Sequence, residues 1–120
     1  MVLADTSVWI RHLRTGGSEL TALLDDAEVV CHPWVIGELA CGRLDPREAT
    51  LSLLGELPAL PSIDLDECLH FVGAQDLAGS GLGLVDVQLL GSAQLVGVPL
   101  WTLDRALALA ARRLGLGHPG

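Results

Sequence analysis

The sequence predicts an α/β fold in which a short parallel sheet is covered by helices on both faces. Three observations predict it. Short apolar runs alternate along the chain with segments whose apolar residues recur at helical spacing. The strand-like runs are continuously apolar rather than alternating, which marks strands buried on both faces. The 120 residues, half of them hydrophobic, suffice for one domain over residues 1–120 with a core that needs no staples.

Residues 2–5 read as the first strand, and residues 6–13 as a helix carrying Trp9, Ile10 and Leu13. Ser18 is placed to cap a second helix, with Leu20, Leu23, Leu24 and Ala27 at i, i+3, i+4 and i+7. Residues 28–31 form a second strand. Pro33 suits the first turn of a third helix, and Gly42 its end. Asp45-Pro46-Arg47-Glu48 reads as a cap, a first-position proline and a third-position acid, opening a fourth helix to about Leu57. Pro58 and Pro61 bracket a connection into a brief third strand near Ile63. Asp64 and Glu67 have capping-box spacing and open a fifth helix to about Ala78. Residues 79–83 are a glycine-rich turn. Residues 84–96 form a helix apolar on nearly every side, expected to be buried. Residues 98–102 are a fourth strand, and 105–114 a last helix with Leu107, Ala110, Ala111 and Leu114 on one face.

Composition excludes several functions. The net charge is −8, all seven basic residues are Arg, and the chain has no Lys, Asn or Tyr. Without Lys there is no phosphate-binding P-loop lysine and no Schiff-base chemistry. An acidic chain without basic runs does not grip nucleic acid by bulk charge, so any such role needs a local site. No apolar stretch approaches the ~20 residues of a membrane span. Residues 1–4 run into Asp5 without a basic leader region, so no signal peptide is expected. The mean hydropathy of +0.47 is high, and the surplus apolar surface is expected to meet another protein chain. Cys31, Cys41 and Cys68 form no CxxC pair, which points to a reducing compartment and a cytoplasmic location. The four His show no zinc-ligand spacing.

Eleven of the fifteen acids cap helices or lie in polar stretches. Four stand apart. Asp5 ends the first strand and Asp104 follows the fourth, at the strand ends where open parallel sheets place ligands. Glu38 and Asp86 are lone charges in apolar helical segments, where an unpaired buried carboxylate costs several kcal/mol or takes a proton. Taken singly, Asp5 and Asp104 also read as plain N-caps, Glu38 as pointing outward from its helix or pairing with Arg43, and Asp86 as a first-turn acid favoured by the helix dipole. Taken together, four hard oxygen donors without His or Cys suit Mg²⁺ or Mn²⁺ and the hydrolysis of phosphate esters. Arg11 and Arg14 follow Asp5, Arg43 and Arg47 follow Glu38, and Arg105 adjoins Asp104, with Arg112 and Arg113 one helix later. That suits a rim gripping phosphates around an acidic centre, though any one of them also reads as an ordinary surface Arg. Gly81-Leu82-Gly83 follows no strand and reads as a hinge, and Trp9, Trp34 and Trp101 read as core or interface residues.

The segments 2–10 (Val-Leu-Ala-Asp-Thr-Ser-Val-Trp-Ile), 35–42 (Val-Ile-Gly-Glu-Leu-Ala-Cys-Gly), 83–90 (Gly-Leu-Val-Asp-Val-Gln-Leu-Leu) and 99–104 (Pro-Leu-Trp-Thr-Leu-Asp) resemble the PIN-domain family, and within it the VapC-type toxin ribonucleases. Their order and spacing span nearly the whole chain. The resemblance implies a three-layer α/β/α sandwich and a metal-dependent endoribonuclease that hydrolyses RNA phosphodiesters with Mg²⁺, or Mn²⁺. It implies that Asp5, Glu38, Asp86 and Asp104 are the catalytic metal ligands. Beside them, Thr6 and Thr102 would position water or metal. Of the nearby arginines, Arg11, Arg43 and Arg105 would meet substrate. It further implies a homodimer held inactive by a small antitoxin, and no membrane association. Gln88 stands where relatives often carry His, and the chain stops at Gly120 where relatives often add a short strand, which leaves the sheet edge open. A housekeeping RNA-processing or DNA nuclease, or a non-catalytic binding module, are the competing functions.

Overall fold

The structure, a computed structural model, describes residues 1–119, apart from the side chain of Ser18. The elements are β1 (Val2–Ala4), α1 (Thr6–Thr15), α2 (Ser18–Asp25), β2 (Val29–Val30), α3 (Pro33–Cys41), α4 (Arg47–Glu56), α5 (Leu65–Ala74), α6 (Leu84–Val96), β3 (Leu100–Trp101) and α7 (Arg105–Arg113). The three strands form one parallel sheet in the order β2-β1-β3. Val2 and Leu3 face Val29 and Val30 on one side, and Leu3 and Ala4 face Leu100 and Trp101 on the other. Every strand residue is buried, as a sheet covered on both faces requires. The fold is the expected α/β/α sandwich with a short parallel sheet.

Helix boundaries follow local chemistry. Gly17 occupies the N-cap of α2, and the predicted cap, Ser18, is its first residue; the Ser18 side chain lies outside the described residues. The cap expected from Asp45 is not formed. Pro46 holds the N-cap position of α4 without a side-chain bond, and its carbonyl accepts from Thr50 Oγ1 at 2.6 Å. The Asp64–Glu67 capping box is complete, with bonds of 2.7 and 3.1 Å. Helix α5 stops at Ala74, short of the expected 78, because Asp76 turns into the left-handed region at φ 55°. Gly97, at φ 82°, closes α6, and both it and Val98 donate to the carbonyl of Ala93. The middle of α6, from Val87 to Ala93, is buried as expected, but Leu84, Leu95 and Val96 at its ends are exposed.

No strand forms at Ile63. A side chain takes the place of a strand partner there: Gln88 accepts from the Ile63 amide at 3.1 Å and donates to its carbonyl at 2.5 Å. With both backbone groups satisfied by α6, the segment has no hydrogen bond left for the sheet. Only Cys31 and Ala59 make a single parallel bridge upstream. Gly91, one turn further along α6, lies so close to Ile63 that an added Cβ would collide with its side chain. At the other edge the tail covers β3. Leu100 donates to Leu116 at 2.7 Å and accepts from His118 at 3.3 Å, a parallel bridge centred on Gly117. The sheet edge at β3 is therefore paired.

His32, fully buried, links three segments. Its Nδ1 accepts from the Trp34 amide at 3.0 Å, so Nε2 carries the proton and donates to Ser92 Oγ at 2.9 Å. Ser92 passes the chain on to the Pro61 carbonyl at 2.6 Å. Burial pushes the His32 pKa down from 6.5 to about 4. Between those values the unfolded chain binds a proton that the folded chain refuses. The stabilisation is thus full above pH 6.5 and is lost as pH falls toward 4, about 2 kcal/mol of it between pH 7 and pH 5. Urea midpoints at the two pH values should show this loss in the parent, and a loss smaller by about 2 kcal/mol in His32→Gln.

Candidate active site

Parallel pairing brings the carboxyl ends of β1 and β3 side by side, and the amide of Asp5 donates to the Trp101 carbonyl at 3.0 Å. Asp5 is the residue that leaves β1 and caps α1, its Oδ1 accepting from the Val8 amide at 3.2 Å. It is 5% exposed and the only acid among the buried polar residues described. Its charge is met by hydroxyls. Ser7 Oγ donates to Oδ1 and Thr102 Oγ1 to Oδ2, both at 2.5 Å. Each hydroxyl then accepts from the turn after β3, Ser7 from the Leu103 amide and Thr102 from the Asp104 amide, both at 3.0 Å. One carboxylate therefore holds the start of α1 against the start of α7.

The other three acids approach this centre from separate elements. Asp104 caps α7, its Oδ2 accepting from the Leu107 amide at 2.9 Å. Asp86, in the first turn of α6, accepts at Oδ2 from the Gly83 amide at 2.9 Å. The cap and first-turn readings of these acids are thus correct as local structure, and the capping is what aims them. Burial pushes the Asp86 pKa up, the Gly83 hydrogen bond opposes this, and the negative charges of Asp104 and Asp5 raise it further. The repulsion is a physical sign that the three carboxylates share one field. Glu38 is exposed, the outward one of its two readings, because α3 turns Val35 and Leu39 inward and Glu38 outward. Thr6 Oγ1 donates to Glu38 Oε1 at 2.6 Å and ties it to the first residue of α1.

Glu38, Asp86 and Asp104 share a feature. Each is held through one oxygen, and among the described residues the second oxygen accepts no hydrogen bond. No group of three or more His, Cys, Asp or Glu among the described residues stands close enough to hold a metal ion as it is. The arginines differ among themselves. Arg11 lies over the Trp101 ring at 5.9 Å, Arg105 is exposed next to Asp104, and Arg43 lines a cavity that Glu38 also lines without pairing with it. Trp9 and Trp101 are core residues, while Trp34 is exposed. The sequence reading missed Ser7. A hydroxyl two residues after a strand-end acid was its available signal.

The fold and the strand-end carboxylates define an α/β protein of the PIN-like class. No protein-family model matches the chain. The chain is 49% identical over 117 residues to Ribonuclease VapC32 of Mycobacterium tuberculosis, in both strain CDC 1551 / Oshkosh and strain ATCC 25618 / H37Rv, covering 97% of this chain and 94% of each relative. PAE2754 from Pyrobaculum aerophilum, known from a crystal structure, matches the fold with a TM-score of 0.64 at 20% identity, over 91% of this chain and 83% of that one. The chain belongs to the VapC-type ribonuclease family.

The hydroxyl pair makes a stability prediction. Thr102→Val leaves Asp5 short of a donor and the Asp104 amide unpaired, and should cost about 1–3 kcal/mol. Ser7→Ala should cost a similar amount through Asp5 and the Leu103 amide. Because both act on one carboxylate, the double variant should depart from additivity by about 0.5 kcal/mol or more, read from denaturant midpoints.

Proposed function

We propose that the protein is a Mg²⁺-dependent endoribonuclease toxin, with Asp5, Glu38, Asp86 and Asp104 as its metal-binding and catalytic acids, working as one nuclease domain over residues 1–120. The observation that carries this is the buried Asp5 carboxylate at the end of β1, joined through Thr102 to the amide of Asp104 after β3, with no cationic side chain paired with either acid among the described residues. The donor chemistry fits a hard divalent cation: carboxylate oxygens from four elements, three of them with an oxygen unengaged. Such a cation supplies an acidified water and charge neutralisation at a phosphate. Mn²⁺ has the same ligand preferences.

The chain's own residues do the positioning. Ser7 and Thr102 hold both Asp5 oxygens in place, and Thr6 holds Glu38. Arg105, exposed next to Asp104, and Arg11, exposed on α1, are the cations offered to RNA phosphates. The named activity of the VapC32 relatives is the support for RNA as substrate. A cognate antitoxin and a second copy of the chain are the proposed partners. Their support is exposed apolar surface: Trp34, Leu65 and Leu84, from α3, α5 and α6, are exposed and line one cavity. A cytoplasmic location follows from that role, and no helix among the described residues is long and apolar enough to cross a membrane.

Purified protein should cleave single-stranded RNA with Mg²⁺ and not with excess chelator. Asp86→Asn should lower the rate about a hundredfold or more, since even groups that only support metal ligands cost 10–100-fold. Equal cleavage by the parent and the variant, in preparations free of host nuclease, would falsify the assignment.

A further inference from the structure

Seven guanidinium groups serve a chain of net charge −8, so where each is used carries information. Arg47 donates to the Ala40 carbonyl at 2.9 Å and Arg113 to the Gln75 carbonyl at 2.6 Å. Arg11 lies over Trp101. Arg14, Arg43, Arg105 and Arg112, among the described residues, have neither a hydrogen bond nor an ion pair, and of these Arg14 and Arg43 line the same cavity of about 520 Å³. The two arrive there by a shared construction. Arg14 is in the last turn of α1, Arg43 follows the end of α3 at Gly42, and α1 packs on α3. A lone Arg at a helix C-terminus is ordinary dipole complementation. Two of them lining one cavity, each without a protein partner, leave two guanidinium forks open to a ligand there.

The rest of the lining restricts the occupant. Ile10, Leu13 and Leu44 give an apolar wall, and Glu38, the acid tied to Thr6, lies at the cavity too. Through Glu38 the cavity adjoins Thr6, the residue after Asp5. Its volume lies within the usual range for a small-ligand site, roughly 300–1,000 Å³. Single-stranded RNA offers, at each nucleotide, a phosphate for a guanidinium fork and a flat apolar base for an aliphatic wall. Glu38 and Asp45 balance the two arginines in charge, so the cavity attracts no anion by net charge and must meet its phosphate at the two guanidiniums.

We propose that this cavity between α1 and the α3–α4 connection is a nucleotide subsite, in which Arg14 and Arg43 hold a phosphate neighbouring the scissile one and its base lies against Ile10, Leu13 and Leu44. The subsite rests on the ribonuclease reading above, and it sets how the strand is registered against the acids. It is a binding site and not part of the chemistry.

The test is equilibrium binding of a fluorescein-labelled single-stranded RNA, by anisotropy, to Asp86→Asn protein with Mg²⁺ present. In that background Arg14→Ala and Arg43→Ala should each weaken binding about tenfold and lower the slope of log affinity against log salt by about 1. Arg112→Ala removes the same charge away from the cavity and should change affinity about threefold or less. Arg43→Lys, which keeps the charge and loses the fork, should fall between the parent and Arg43→Ala. Thermal melting of each variant identifies any that fail to fold, and Ile10→Ser then tests the apolar wall in their place with the same expected loss. Unchanged affinity and salt slope in both Arg14→Ala and Arg43→Ala would overturn the subsite. So would an equal loss in Arg112→Ala, which would mark bulk charge. Cleavage by the parent is scored separately. RNA held through the arginine pair without cleavage would sink the hydrolase reading and leave the subsite standing, whereas cleavage with no arginine effect would do the reverse.

Discussion

The buried carboxylate of Asp5 constrains everything around it. A charge this deep costs several kcal/mol unless its lone pairs are filled, and here they are filled by Ser7, Thr102 and the Val8 amide. Those donors come from the start of α1 and from the end of β3, elements far apart in sequence. Satisfying one charge therefore sets the relative position of two chain segments that the short sheet alone would hold through few bonds. The same hydroxyls then fill the amides of Leu103 and Asp104, which fixes where α7 begins and where its capping acid points.

From that clasp the electrostatics of the site follow. In the first turn of α6, burial raises the proton affinity of Asp86, and the charges of Asp104 and Asp5 at the adjoining strand ends raise it further. Proteins seldom keep like charges together without a reason, because replacing one of them with an amide would relieve the repulsion. The proposed reason is a divalent cation, which turns the repulsion into binding energy. The surrounding structure is committed to rigid support: Gln88 pins α6 to the backbone of Ile63, and His32 and Ser92 pin it to Pro61. Asp86 thus rides on a helix anchored on the side away from the site.

Much of this was legible in the residues. Helix caps are local, so the Asp64–Glu67 box, Pro33 and Gly42 could be read directly, and the strand-end placement of Asp5 and Asp104 follows from where the apolar runs stop. Interactions between distant segments could not be read. Nothing near Ile63 shows that Gln88, 25 residues on, will replace a strand partner. Likewise nothing in the Gly-rich tail shows that Leu116 and His118 will pair with Leu100. The sequence leaves open whether Glu38 is buried or points outward, because its segment is apolar on both sides, and the short helix settles it by turning only its Val35–Leu39 face inward. Ser7 escaped notice because a serine early in a helix looks like surface until its partner at position 102 is in place.

If these acids form a cation site, the thermal stability of the apo protein titrated with Mg²⁺ and, separately, Mn²⁺ reports it. A site in the native state predicts saturable stabilisation, about 2.7 kcal/mol when the free cation is a hundred times its dissociation constant, and little or none in Asp5→Asn. A melting temperature that stays unchanged through both titrations, in protein that is folded throughout, would contradict the account.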